Sequence, residues 1–123
     1  MDSRKLALLC RELADNRKGE NIVVLDVQKL SSVTDFFVIA SGTSEPHLRA
    51  IVDEITEKLR DEHNQRAHAT DGGLHTGWIV LDYFDVIVHV QLAEIRAKYD
   101  LEGLWADAAK VRTAKKKKTI PVA

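Results

Sequence analysis

The sequence predicts an α/β fold, a mixed β-sheet flanked by α-helices, and three patterns carry that expectation. Two stretches space their apolar residues three and four apart, two short apolar runs follow one another, the first rich in β-branched residues, and one segment splits into apolar halves around a turn. Helix, strand, strand, helix, strand, hairpin and helix in that order fit a mixed sheet covered by helices. The 123 residues, 45% apolar and 30% charged, leave room for one core without a second catalytic domain.

From Ser3 to about Asn16, Leu6, Leu9, Cys10 and Leu13 form the apolar stripe of a helix that stops near Gly19. Ile22–Val27 and Phe36–Ala40 come next as strands separated by the polar break at Ser31-Ser32, both expected to be buried on two faces. The turn Ser41-Gly42-Thr43-Ser44 leads into a second helix, with Ser44 as its cap and Pro46 in its first turn. That helix is expected to reach His63, with Leu48, Ile51, Val52, Ile55 and Leu59 inward and Asp53, Glu54, Glu57, Lys58 and Arg60 mostly facing water. Asn64 to Gly77 is polar and glycine-rich, so mostly loop is expected, with one short strand near Arg66–Ala69. Trp78–Asp82 and Val86–Val90 flank Tyr83-Phe84 as an antiparallel hairpin. A helix over Ala93–Tyr99 and a helical turn over Leu101–Ala108 complete the reading.

Charge is divided unevenly. Five of the 18 basic residues and none of the 19 acids lie in the last thirteen positions, so residues 1–110 hold 13 basic against 19 acidic groups, a net of −6. A domain over 1–110 and a basic, disordered tail over 111–123 are therefore expected. The tail has Lys115, Lys116, Lys117 and Lys118 but no interleaved aromatic, which suits weak, salt-sensitive rRNA contact. A lone Cys10 and no signal-like start point to a reducing, cytoplasmic setting, and no apolar run reaches membrane-spanning length.

The chain offers few patterns that carry chemistry. Ser41–Ser44 lies between a strand and a helix, where free amides attract phosphate, but the pattern of a phosphate-binding loop and its lysine are missing. Asp82 with Asp85, and Asp53 with Glu54, lack the alternate spacing that places two carboxylates around Mg²⁺ on a strand. His63, His68 and His75 match no zinc spacing, and Cys10 reads as a small buried hydrophobe, so no metal or cofactor is expected. His89, opposite in facing to Val88 and Val90, is either a hydrogen-bonded structural histidine or a contact residue on a functional face. Trp78 and Tyr99, at element ends, either close a core or anchor an interface.

Three ordered blocks carry a family resemblance. Asp26-Val27 with Ser31–Ile39 and Ser41–Ser44, then Trp78–Val90, then Tyr99–Ala108, together resemble the ribosomal silencing factor, or Iojap-like, family. The resemblance spans about Leu6 to Ala108. It implies a nucleotidyltransferase-like fold without the catalytic carboxylates, and a non-enzymatic role. That role is binding the large ribosomal subunit through its fourteenth protein and blocking the small subunit, thereby repressing translation under nutrient limitation. It further implies a homodimer when free, for which Leu6, Leu9 and Leu13 are candidate contacts. Trp78, Asp82, Asp85, His89 and Tyr99 stand at matching positions as candidate ribosomal-protein contacts, with Arg96 as a weaker one. Two departures stand out: Phe84 where many relatives have Gly, and Gln91-Leu92-Ala93 after the strand, which leaves the helix start near Ala93 open. The competing reading is a nucleotide-binding or nucleotidyltransferase-like enzyme built on the Ser41–Ser44 turn.

Overall fold

The structure, a computed structural model, describes residues 1–111, so all of the expected basic tail except Val111 lies outside the described residues. Helix α1 (Ser3–Asn16) starts where Asp2 accepts a hydrogen bond from the Lys5 amide at 2.8 Å and ends in a turn with Lys18 at φ 59°. Strand β1 (Glu20–Asp26) has an irregular register between Glu20 and Val23, where Asn21 sits at φ 48°, the left-handed conformation that one type of bulge uses. Strand β2 (Phe36–Gly42) is next. Helix α2 (Glu45–His63) begins as expected, with the Ser44 hydroxyl accepting from the His47 amide and Pro46 in the first turn, and closes on Asn64 in the left-handed region.

The polar segment before the hairpin holds more structure than its composition suggests. Strand β3 spans Ala69–Gly73, further along than expected, and a single 3₁₀ turn, Leu74–Thr76, connects it to β4 (Trp78–Asp82). Its side chains are mostly exposed, so neither apolar alternation nor bulk marked it; pairing with β4 makes it a strand. Strand β5 (Val86–Leu92) completes the hairpin, and helix α3 (Ala93–Tyr99) starts directly after it, with Leu92 at the cap position offering no side-chain cap. Helix α4 is one turn, Leu101–Leu104, and a two-residue strand β6 (Ala109–Lys110), not foreseen from the sequence, pairs with β1.

Among the described residues six strands form one mixed sheet in the order β3-β4-β5-β2-β1-β6. Of these only β2 and β5 run parallel to each other, over seven aligned pairs from Phe36 with Val86 to Gly42 with Leu92. Helices α1 and α2 cover one face, where Leu6, Cys10 and Leu13 meet Val38, Val88, Ile51 and Ile55 in the main core. On the other face a smaller cluster of Leu25, Val27 and Ile39 packs under Leu101, Trp105 and Ala108. Glu54, expected to face water, is buried instead: it accepts from Arg17 Nε at 3.1 Å and Asn16 Nδ2 at 3.3 Å, tying the end of α1 to α2. Val111 adds a backbone bond to Val24.

Gly72 holds β3 close to β4. It adopts φ 82°, and a Cβ there would overlap the carbonyl oxygen of Trp78. Gly72→Ala is expected to destabilise the fold by about 2 kcal/mol or more, since left-handed strain and a backbone clash act together. Urea denaturation of the two proteins checks this.

Candidate functional site

The face of the sheet away from α1 and α2 gathers the aromatic residues. Along β4, Trp78, Val80 and Asp82 alternate onto this face, and the antiparallel register sets Val80 opposite His89 and Trp78 opposite Gln91. Ring centroids then succeed one another across three strands: Tyr99 to Trp78 at 5.0 Å, Trp78 to His89 at 6.0 Å, His89 to Phe37 at 5.4 Å and Phe37 to Trp105 at 5.1 Å. Phe37 and Trp105 join this row although the sequence did not mark them as candidate contacts. Phe37 was legible in principle, because it alternates with the core residue Phe36; Trp105 was not, since its place depends on how α4 folds back. The row is half-exposed at Trp78, Phe37 and Trp105, and Tyr99 is 47% and Leu104 on α4 is 74% exposed. Tyr99, Trp78, Val80, Ile95, Thr76 and Gly72 line a cavity of about 360 Å³ at its outer end.

His89 is the fixed point of the row. Its Nδ1 accepts from the Trp78 indole N–H at 3.1 Å, which orients the indole on the sheet. Burial lowers the pKa of His89 to about 4, so the ring stays neutral and keeps this acceptor. Of the two sequence readings of His89, the bond to Trp78 and the burial fit the hydrogen-bonded structural histidine.

Arg96 is only 8% exposed, and all five of its N–H groups have partners. Nε and Nη2 bind Glu102 at 2.9 and 3.2 Å, Nη1 binds the Ser41 hydroxyl at 2.8 Å and the Glu20 carbonyl at 3.4 Å, and Nη2 also binds the Asn21 carbonyl at 2.6 Å. The structure therefore corrects its candidacy as an outward contact: a guanidinium with five donors engaged has none left for a partner's carboxylate or phosphate. Asp82 and Asp85 are not gathered with Trp78 and Tyr99. They lie at the far end of the hairpin, roughly 13 Å along β4 from Trp78. Asp82 accepts from the Phe84 amide at 2.8 Å, while Asp85 is exposed at the tip. Phe84 takes φ 68°, in the left-handed region that glycine adopts most easily, and its ring packs on His68 at 4.2 Å.

Other candidates resolve as packing. Leu6 and Leu13 are 4% and 5% exposed inside the chain's own core, and Leu9 packs against it, so the α1 stripe has little left to offer a second copy. Cys10 is fully buried and its thiol is pushed up to about 12 by desolvation. In the Ser41–Ser44 turn, the Thr43 amide donates to His47 Nδ1 at 2.9 Å and the His47 amide to Ser44, while His47 Nε2 meets the Arg17 carbonyl at 2.8 Å. Two of the amides at this helix start are thus engaged within the chain. Gln91 is fully buried with neither end of its amide hydrogen-bonded. No helix among the described residues is long and apolar enough to cross a membrane.

Comparison with known proteins points the same way. The family model RsfS, ribosomal silencing factor during starvation, matches residues 1–122. The chain belongs to this family. The RsfS protein of Halalkalibacterium halodurans is 35% identical over 111 residues, covering 90% of this chain and 94% of the relative. That of Bacillus subtilis is 32% identical over 108 residues, covering 88% and 91%. A crystal structure of a protein from Chromobacterium violaceum superposes with a TM-score of 0.82 at 31% identity, covering 93% of each chain. The shared fold is therefore that of the RsfS family, and membership implies ribosome-associated regulation. A mouse relative named for mitochondrial assembly of the ribosomal large subunit is 32% identical over 98 residues, which cover 76% of this chain and 42% of the relative.

The buried polar side chains generate two expectations. Arg96→Lys supplies at most three donors for five bonds and leaves acceptors unpaired in a buried site, so a loss of about 2–3 kcal/mol is expected in urea denaturation. His89 binds a proton in the unfolded chain below about 6.5 but in the fold only near 4, so stability is lost as pH falls through that window. The difference amounts to about 3 kcal/mol at its fullest. His89→Gln, which retains an acceptor for Trp78, is expected to flatten this part of the stability–pH curve.

Proposed function

We propose that this protein is a translational repressor that binds the large ribosomal subunit through its fourteenth protein and keeps the small subunit from joining. The observation that carries this reading is the partly exposed row of Tyr99, Trp78, Phe37 and Trp105, ordered around the buried His89 and held rigid by ring contacts and the indole bond. Preorganised aromatic area of this kind is what anchors protein interfaces, because little side-chain freedom remains to be lost on binding. A body of net charge −6 over residues 1–110 favours approach to a basic ribosomal protein and disfavours bare rRNA. Asp82 and Asp85 place two of those charges at the far end of the same hairpin.

Blocking by occupancy needs no reaction. Affinity and concentration set the degree of repression, consistent with control of the protein's abundance when nutrients are scarce. The setting is the cytoplasm, where subunits assemble. Lys115 to Lys118 add a weaker, salt-dependent attraction to rRNA. Homodimerisation, which the family resemblance implies, would need a surface other than the buried α1 stripe.

Co-sedimentation with purified large subunits tests the reading. The full chain is expected to pellet with them, and Trp78→Ala combined with Tyr99→Ala to weaken binding by about thirtyfold or more, the scale of two interface anchors. Unchanged affinity in a variant with an unchanged melting curve would reject the aromatic row as the contact.

A further inference from the structure

Among the described residues, strand β3 is an open edge of the sheet. It lies at one end of their strand order, pairs there only with β4, and keeps a continuous register over five residues from Ala69 with Asp82 to Gly73 with Trp78. Alternate residues of such a strand direct their amide and carbonyl groups away from the sheet. Two of the usual protections are missing here. Its residues Ala69, Thr70, Asp71, Gly72 and Gly73 include no lysine and no proline, and Thr70, Asp71 and Gly72 are exposed. The opposite edge, β6, is protected by being only two residues long.

A cavity lies on each side of this one strand. On the aromatic face is the cavity of about 360 Å³ bounded by Trp78, Val80, Ile95 and Tyr99, and Gly72 forms part of its wall. On the α2 face is a second, of about 230 Å³, bounded by Arg49, Val52, Asp53, Thr70 and Ile79, with Gly72 again in the wall. A chain added beside β3 points successive side chains to opposite faces, so neighbouring residues would enter the two cavities in turn. Gly72, lacking a side chain, leaves both approaches clear.

We infer that β3 receives an extended segment of the basic partner polypeptide as a seventh strand, with an apolar side chain beside Trp78 and Tyr99 and a polar one beside Arg49 and Asp53. Main-chain hydrogen bonds to β3 supply a share of the affinity, and the two cavities select the sequence. The acidic body, with Asp71 on the strand itself, favours a basic segment over a second copy of this acidic chain. The inference rests on the ribosomal reading for the identity of its probe, and concerns how the partner docks.

Amide hydrogen exchange of the full chain separates the two claims. In the free protein, amides within 69–73 that face outward are expected to exchange rapidly at both low and high protein concentration. With purified large subunits in excess, the same amides should slow by about tenfold or more. If the chain co-sediments with the subunits while β3 amides exchange as before, strand addition is wrong and the ribosomal reading stands. If the chain fails to co-sediment, the ribosomal reading itself falls. If protection of β3 arises in the free protein as concentration rises, a second copy is the occupant and the inference is overturned.

Discussion

The parallel pairing of β2 with β5 is the constraint on which the structure turns. Both strands sit inside the sheet, with strands on either side, so each has two faces to bury. Helices α1 and α2 cover one face with 33 helical residues between them, 14 and 19. The other face must be covered by the chain after β5: a helix of seven residues, one of four, and the turn that carries Trp105. This cover is incomplete, and aromatic rings fill the margin. The half-exposed row is therefore a consequence of the topology, since rings can pack on the sheet and on one another without a full layer above them.

Helices this short do not hold themselves in water, because the cost of nucleation is spread over few hydrogen bonds. Arg96 compensates. Its five bonds join α3, the carboxylate of Glu102 on α4, the Ser41 hydroxyl near the end of β2 and two carbonyls at the start of β1. An interaction of this kind adds little net stability from charge alone, but it fixes where α3 ends and so where Tyr99 meets Trp78. His89 fixes the same indole from below. Two polar groups buried in an apolar setting thus set the geometry of the exposed rings, and both matter to the proposed interface without having to touch a partner.

The charge distribution acts at longer range. A near-neutral total conceals an acidic body and a basic end, and these favour different surfaces of a ribosome. In the proposed complex the aromatic row would supply contact area, the acidic body would steer it toward protein, and the strand addition would set the register of docking. Each of the three uses a different physical term, so their effects on affinity, salt dependence and amide protection can be read separately.

Elements that keep one period along the chain were legible before any folding was known. The stripe of Leu48, Ile51, Ile55 and Leu59 marked α2, the short apolar runs marked β1 and β2, and the apolar halves around Tyr83-Phe84 marked the hairpin; family membership was also legible, in three ordered motif blocks. Periodicity did not reveal β3, because that strand is exposed and glycine-rich and owes its conformation to pairing with β4. Nor did it show that Glu54 turns inward, since helical phase alone places that residue at the margin of the stripe and only Arg17 and Asn16 justify its burial. Of the candidate contacts, Trp78, His89 and Tyr99 were brought together, whereas Asp82 and Asp85 were left at the other end of the hairpin and Arg96 was drawn inside. A residue type announces what it can bond. Which bonds remain open to a partner is decided only when distant segments meet, because each one formed within the fold removes a donor or a surface from the outside.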